Sequence, residues 1–247
     1  MHMKIKQLKN LMIAGTVFAA VVFTGCLTSV LRVQAGDGGG SDEIWKIQQG
    51  FEIAPVPLNL KGKDRALVGL GSYLVNAVVD CNGCHTADPA TEYTPDGNPY
   101  FLGTTKTKVN QATYLGGGQD FGKVGPPPSP DIISRNLTPD KTGLPEGGRT
   151  FQQFLQIIRT GTDLDNLHPN CSATITTNCF PTTTYNPDHI PGLLPPFTNG
   201  ALLQVMPWPA YRHMSDHELL AIYTYLSTIP CLSTGSPSNV LYNDCGP

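Results

Sequence analysis

Apolar residues recur at helical spacing in three stretches of this chain. Leu67, Leu70, Gly71, Leu74, Val75 and Val78 form one stripe and predict a helix over 65–79. Phe151, Phe154, Leu155 and Ile158 predict a short helix from about Thr150 to Arg159, with Gly161 as its stop. The run "MSDHELLAIYTYLSTIP" gives the third. Ser215 is its N-cap, Glu218 completes a capping box, and Pro230 follows its end. Its apolar face is Leu219, Ile222, Tyr223 and Leu226. Gly69 and Gly71 weaken the first helix, so they imply that another element approaches it closely.

Between these helices the periodicity fades. Residues 86–149 contain "YLGGGQDFG" and "GPPPSPD", and residues 162–205 contain "IPGLLPPF"; both regions read as loops. Residues 36–41, "GDGGGS", read as a flexible linker, and residues 42–64, with Pro55 and Pro57, as an extended entry strap. No internal repeat is present.

Ahead of the linker lies a different pattern. Lys4, Lys6 and Lys9 precede an apolar run from Leu11 to Gly25, the layout of a targeting segment. Three endings are open. "FTGC" resembles a lipobox with Cys26 as the lipidated residue; "VQA" at 33–35 is a signal-peptidase site; or the apolar run, extended to Leu31, stays as a membrane anchor. All three place the rest of the chain outside the cytoplasm. Without residues 1–25 the chain keeps 13 basic against 19 acidic side chains. An acidic surface with no basic stripe argues against nucleic acid as a partner. The segments read as 1–35 targeting or anchor, 36–64 linker and strap, and 65–247 one domain.

Two irregular stretches of more than 40 residues are hard to reconcile with an ordinary packed core. "VVDCNGCHTADPA" at 78–90 offers a resolution. A chain with only seven Cys and six His rarely places Cys81, Cys84 and His85 together by chance. Three chemistries use the spacing. In c-type haem attachment, the thiols add to the vinyl groups and the histidine becomes the proximal iron ligand. A zinc site needs further ligands, and no second C-x-x-C is present. A thioredoxin-type disulfide wants its cysteines before a helix, whereas here the helix comes first. Haem is favoured, because it supplies buried apolar surface around which loops can pack.

A haem held by one histidine has a sixth position. Candidates are Met206, Met214, His168, His189, His213 and His217. Met206 stands out because Pro207 and Pro209 fix its backbone, and a thioether suits haem iron. Trp208 and Tyr211 read as packing residues nearby. The remaining cysteines, Cys171, Cys179, Cys231 and Cys245, allow three disulfide pairings; the local pairs Cys171–Cys179 and Cys231–Cys245 are preferred, since each staples a loop.

"GSYLVNAVVDCNGCHTAD" (71–88), "YLGGGQDFG" (114–122), "ISRNLTPDKTG" (133–143) and "MPWPAYRHMSDHELLAIYTYLSTIP" (206–230) together resemble class I c-type cytochromes. The likeness is to the haem domains in cytochrome c subunits of bacterial membrane-bound dehydrogenases, in the same order over most of 65–230. The resemblance implies an all-α cytochrome c fold, a few helices wrapped with long loops around one covalent haem c. It implies Cys81 and Cys84 as thioether sites, His85 as proximal and Met206 as distal iron ligand. It also implies that the Gly69/Gly71/Leu74 face meets Ile222, Tyr223 and Leu226. The function implied is electron transfer rather than catalysis, between redox proteins such as a dehydrogenase, other cytochromes or a terminal oxidase, by a periplasmic, membrane-tethered protein. The alternative is a haem enzyme or a gas or redox sensor with a displaceable sixth ligand.

Overall fold

The computed structural model describes residues 38–86, 90–123, 131–167, 200–233 and 243–246. The chain divides after Ile44; in the first part the description covers only 38–44, the opening turns of α1. Leu11 to Leu31 and the expected lipidation site Cys26 lie outside the described residues, as do His168, His189, Cys171 and Cys179. No described helix is long and apolar enough to cross a membrane.

In chain order the helices are α1 (Gly38–Ile53), α2 (Arg65–Tyr73), α3 (Cys81–Cys84), α4 (Pro145–Gly148), α5 (Phe151–Thr160), α6 (Trp208–Tyr211) and α7 (Asp216–Leu226). A π-helical turn, Leu74–Val78, continues α2. The fold is mostly helical, with loops. It differs from an all-α expectation by two antiparallel ribbons: β1 (Asp120–Lys123) with β2 (Asp131–Ile133), and β3 (Thr162–Leu167) with β4 (Gly200–Leu202). Asp120 pairs with Ile133 and Thr162 with Leu202; both registers are irregular. Such short ribbons have too few alternating positions to show a period of two in sequence.

The helices start where their caps put them. Asp64 accepts from the Ala66 and Leu67 N–H groups and opens α2. Thr150 with Gln153, and Ser215 with Glu218, form capping boxes on α5 and α7. Gly161, at φ +70°, closes α5 as expected. The readings of 36–41 as a flexible linker and of 42–64 as an extended strap are corrected where they overlap α1. Residues 38–53 are helical, because Ile44, Ile47 and Phe51 lie at helical spacing and the prolines at 55 and 57 fall beyond the end.

The core is a single apolar cluster that includes Val68, Leu70, Leu74, Val75, Tyr114, Leu115, Phe154, Leu219, Ile222, Tyr225 and Leu226. α2 and α7 cross at its centre. A Cβ on Gly71 would overlap the Ala221 carbonyl and the Tyr225 Cβ, so only glycine admits this approach. Gly69 serves a different contact from the one expected: it faces Ile47 and Phe51 of α1. Tyr223 packs on Phe151 and Phe154 of α5, with ring centroids 5.3 and 5.7 Å away, and donates to the Arg149 carbonyl at 2.9 Å.

Candidate functional site

The π-helical turn delivers the chain to Asp80, which adopts a left-handed conformation (φ 53°) and starts the single turn α3. His85 closes that turn by donating its N–H to the Cys81 carbonyl at 2.9 Å. Cys81, Cys84 and His85 therefore emerge from five consecutive residues wound about one turn. Cys81 is half-buried against the core, and Cys84 is exposed; both are free thiols. Burial, with Asp80, Cys84 and Glu146 nearby, pushes the Cys81 thiol up to about 12. Burial and the charges of Asp80 and Glu92 also raise Cys84. Neutral thiols are the reverse of what a redox-active C-x-x-C nucleophile requires. Among the described residues no three His, Cys, Asp or Glu side chains form a metal-holding group.

His85 is fixed in orientation. Its Nδ1 lies 2.8 Å from the Arg135 carbonyl oxygen. A carbonyl can only accept, so Nδ1 carries the proton and Nε2 keeps its lone pair for a ligand. Burial, chiefly, holds the imidazole below the usual histidine value of 6.5. The surrounding loops secure the arrangement. Gly117 donates its N–H to the His85 carbonyl at 2.8 Å, and Leu115 donates its N–H to Asn82 Oδ1 at 2.9 Å. Gly117 sits at φ +68°, and a Cβ there would run into the Arg135 carbonyl. The Arg135 guanidinium pairs with both Asp163 carboxylate oxygens at 3.0 Å, under partial cover.

Tyr211, on α6, lies within electrostatic reach of Cys81, Cys84 and Asp80, and burial is the main cause of its raised value. α6 is docked by Trp208, buried against Gly161, whose indole N–H donates to the Leu203 carbonyl at 3.2 Å. Met206 precedes α6 and packs, half-buried, on the same core as Cys81; Met214 does so too. His213 and His217 are exposed.

Backbone strain separates the two methionines. Val205, a β-branched residue, is held at φ 68° immediately before Met206. Among the described residues four non-glycines have positive φ: Asp80, Leu115, Glu146 and Val205. All four border this cluster: beside Cys81, hydrogen-bonded to Asn82, within electrostatic reach of Cys81, and beside Met206. Strain of this kind concentrates at functional sites, where the surrounding structure enforces it.

Two buried side-chain nitrogens or oxygens flank His85 without a hydrogen-bond partner among the described residues, Asn82 Nδ2 and Thr86 Oγ1. Behind Cys81 a closed ring of hydrogen bonds does the opposite. Tyr114 donates to Asn76 Oδ1 (2.6 Å), Tyr225 donates to the Tyr114 hydroxyl (2.8 Å), and Asn76 Nδ2 donates to the Tyr225 hydroxyl (3.3 Å). Sequence reasoning missed Arg135, Gly117, Asn76 and Tyr114. The glycine density of "YLGGGQDFG" was the one signal of close approach there.

A covalently held haem fits these residues: two unlinked neutral thiols separated by two residues, a neutral histidine with Nε2 uncommitted among the described residues, and a thioether presented by a strained backbone. Orphaned polar atoms beside the histidine leave hydrogen bonds to be made. Cys231 and Cys245 are joined, with Cα atoms 5.6 Å apart. No protein-family model, curated protein or solved structure matches the chain.

Proposed function

We propose that this protein is an exported, one-electron carrier of the c-type cytochrome class, with a cytochrome c fold built around one haem c. The observation that carries the reading is His85, the residue after Cys84, with Nδ1 bound by the Arg135 carbonyl and Nε2 left to ligate. Bound through Cys81 and Cys84, and ligated by His85 and Met206, a haem supplies an Fe(III)/Fe(II) couple.

The chain's own residues do the rest. Cys81 and Cys84 would hold the cofactor on α3 through thioethers, formed by adding their S–H groups across its two vinyl groups. The Arg135 carbonyl holds the His85 ring against rotation and increases its basicity as a ligand. Pro207 and the strained Val205 hold the Met206 backbone, so little conformational freedom is lost when its sulfur is placed. Leu115, Tyr114 and Leu74 exclude water from the Cys81 side. The Cys231–Cys245 bond suits an oxidising compartment, in keeping with export by the N-terminal segment. Partners are redox proteins such as a dehydrogenase, another cytochrome or a terminal oxidase, met through small, transient interfaces.

The test is production of the full chain in a host that attaches haem. We expect a red protein heavier than its polypeptide by one haem, and a colourless one from Cys81→Ala with Cys84→Ala. A far-red methionine-to-iron band is expected to vanish in Met206→Ala and to persist in Met214→Ala. A colourless wild-type protein overturns the proposal. A high-spin spectrum with rapid carbon monoxide binding replaces electron transfer with the sensor or enzyme alternative.

A further inference from the structure

From the "RNLTP" run at 135–139 the function above uses only the Arg135 carbonyl, and it uses the C-terminal disulfide only as a sign of the compartment. The structure joins them. Asn136, Thr138 and Asn243 are buried, at 4, 0 and 2% exposure, and form one fully bonded cluster. Thr138 Oγ1 donates to Asn136 Oδ1 (2.7 Å) and accepts from the Leu232 N–H (3.0 Å) and from Asn243 Nδ2 (2.8 Å). Asn136 Nδ2 donates to the Leu232 carbonyl (2.7 Å), and Asn243 Nδ2 also reaches the Thr138 carbonyl (2.7 Å). Leu232 follows Cys231, and Asn243 lies two residues before Cys245, so the disulfide holds both strands of the cluster in place. On its other side, the segment is laced to 115–119. Leu137 donates to the Leu115 carbonyl (2.9 Å), Gly118 to the Ser134 carbonyl (3.0 Å) and Ser134 to the Gln119 carbonyl (3.0 Å). Between these two sets of bonds lies Arg135, whose carbonyl accepts from His85.

We propose that the Asn136–Thr138–Asn243 cluster, closed by the Cys231–Cys245 disulfide, is a clamp that sets the orientation of the His85 ring through the Arg135 carbonyl. Thr138 and Asn243 are positioning residues for the proximal ligand, and the C-terminal loop is part of the cofactor site although it contributes no ligand. The inference rests on His85 being that ligand.

A buried polar cluster whose groups bond one another is rigid, because breaking any bond leaves a desolvated donor or acceptor. A carbonyl adjacent to such a cluster is held in place. Opening the clamp frees the Arg135 peptide to rotate, and the Nδ1–H···O bond weakens. His85 then becomes a poorer donor, and the ferric form loses more stabilisation than the ferrous form. The reduction potential therefore rises.

The test uses the full-length holoprotein, with potentials from mediated redox titration. Thr138→Val keeps the shape and removes the hydroxyl; Thr138→Ser keeps the hydroxyl. We expect Thr138→Val to raise the potential by about 59 mV, a tenfold fall in the Fe(III)/Fe(II) ratio at fixed ambient potential, while Thr138→Ser stays at the wild-type value. NMR of the His85 Nδ1–H should show faster exchange in Thr138→Val. Lys141→Ala, which removes the exposed ion pair with Asp244 beside the cluster, should leave the potential unmoved. If Thr138→Val yields no holoprotein, wild-type holoprotein reduced by a dithiol and alkylated at Cys231 and Cys245 carries the same expectation. A lower melting temperature with an unchanged potential, in either form, overturns the clamp and leaves a merely structural cluster. Failure of the wild type to take up haem overturns the proposed function instead.

Discussion

α2 meets α7 through apolar side chains and through the lack of one; the segment 134–138 meets its neighbours through hydrogen bonds. At the helix crossing Gly71 lies on Ala221, with Leu70, Leu74 and Tyr225 closing around it. In the loop wall the interior is Asn136, Thr138 and Asn243, all buried and all paired. The site lies where the two meet: Cys81 leans on the helix pair, and His85 is held by the loops. Apolar packing sets how close two elements come but is tolerant of rotation about a contact. Hydrogen bonds fix directions. The helix wall thus fixes how close Cys81 comes to the core, and the loop wall fixes which way the His85 ring faces.

The largest expected effect breaks the helix wall. In Gly71→Ala the new Cβ meets backbone, which cannot swing aside as a side chain would. We expect a loss of about 3 kcal/mol, read from urea or thermal unfolding. A loss below that of the loop-wall variants would reverse the ranking of the two walls. Next is Gly117→Ala. It puts a Cβ at φ +68° against the Arg135 carbonyl, the atom that orients His85. About 2 kcal/mol should be lost. Unlike Gly71→Ala, it should also disturb the His85 Nδ1–H signal in NMR spectra. If both variants disturb that signal equally, direction is not a property of the loop wall alone.

Tyr114→Phe sharpens the comparison, because it places a polar defect inside the apolar wall. The Asn76–Tyr114–Tyr225 ring opens, and Asn76 Oδ1 loses its donor in a partly buried setting. The cost expected is about 1–2 kcal/mol, against near-neutrality if water enters to replace the hydroxyl. Chemical denaturation of the variant distinguishes the two.

How much of this was legible depended on where each signal lay. α7 and α5 could be read directly, because Ser215 with Glu218, Thr150 and Gly161 are local codes within one turn of what they control. α1 was lost among its own opening glycines and the prolines that follow it, although Ile44, Ile47 and Phe51 carried the period. The π-helical turn at Leu74–Val78 left no trace; its Asn76 bonds Ser72 four residues away, but also Tyr114 and Tyr225, 38 and 149 residues away. The C-x-x-C-H triplet was plain. The atom that orients its histidine was not, because a backbone carbonyl 50 residues downstream belongs to every residue type alike. The Cys231–Cys245 pairing was readable as a local staple, but the cluster that it closes needed Asn136 and Thr138 brought in from a distant loop.

The smallest expected effect probes the outer edge of the loop wall. Lys141 pairs with Asp244 at 2.6 Å, and the Lys141 N–H donates to the Asp244 carbonyl at 2.5 Å. The lysine ammonium, followed by the Gly246 N–H, holds the Asp244 carboxyl below its usual value of 3.8. The folded state thus binds this proton less readily than the unfolded chain does. Stability from the pair is complete above pH 3.8 and is lost as pH falls through the lower folded value. Melting curves over that acid range should show wild type losing slightly more stability than Lys141→Ala, with the two alike at pH 7 apart from a small offset. Because the pair is exposed, added salt should shrink the difference. A difference that survives high salt would mean that the C-terminal loop is held at its surface as firmly as at Asn243, and that the directional wall extends further out than its buried core.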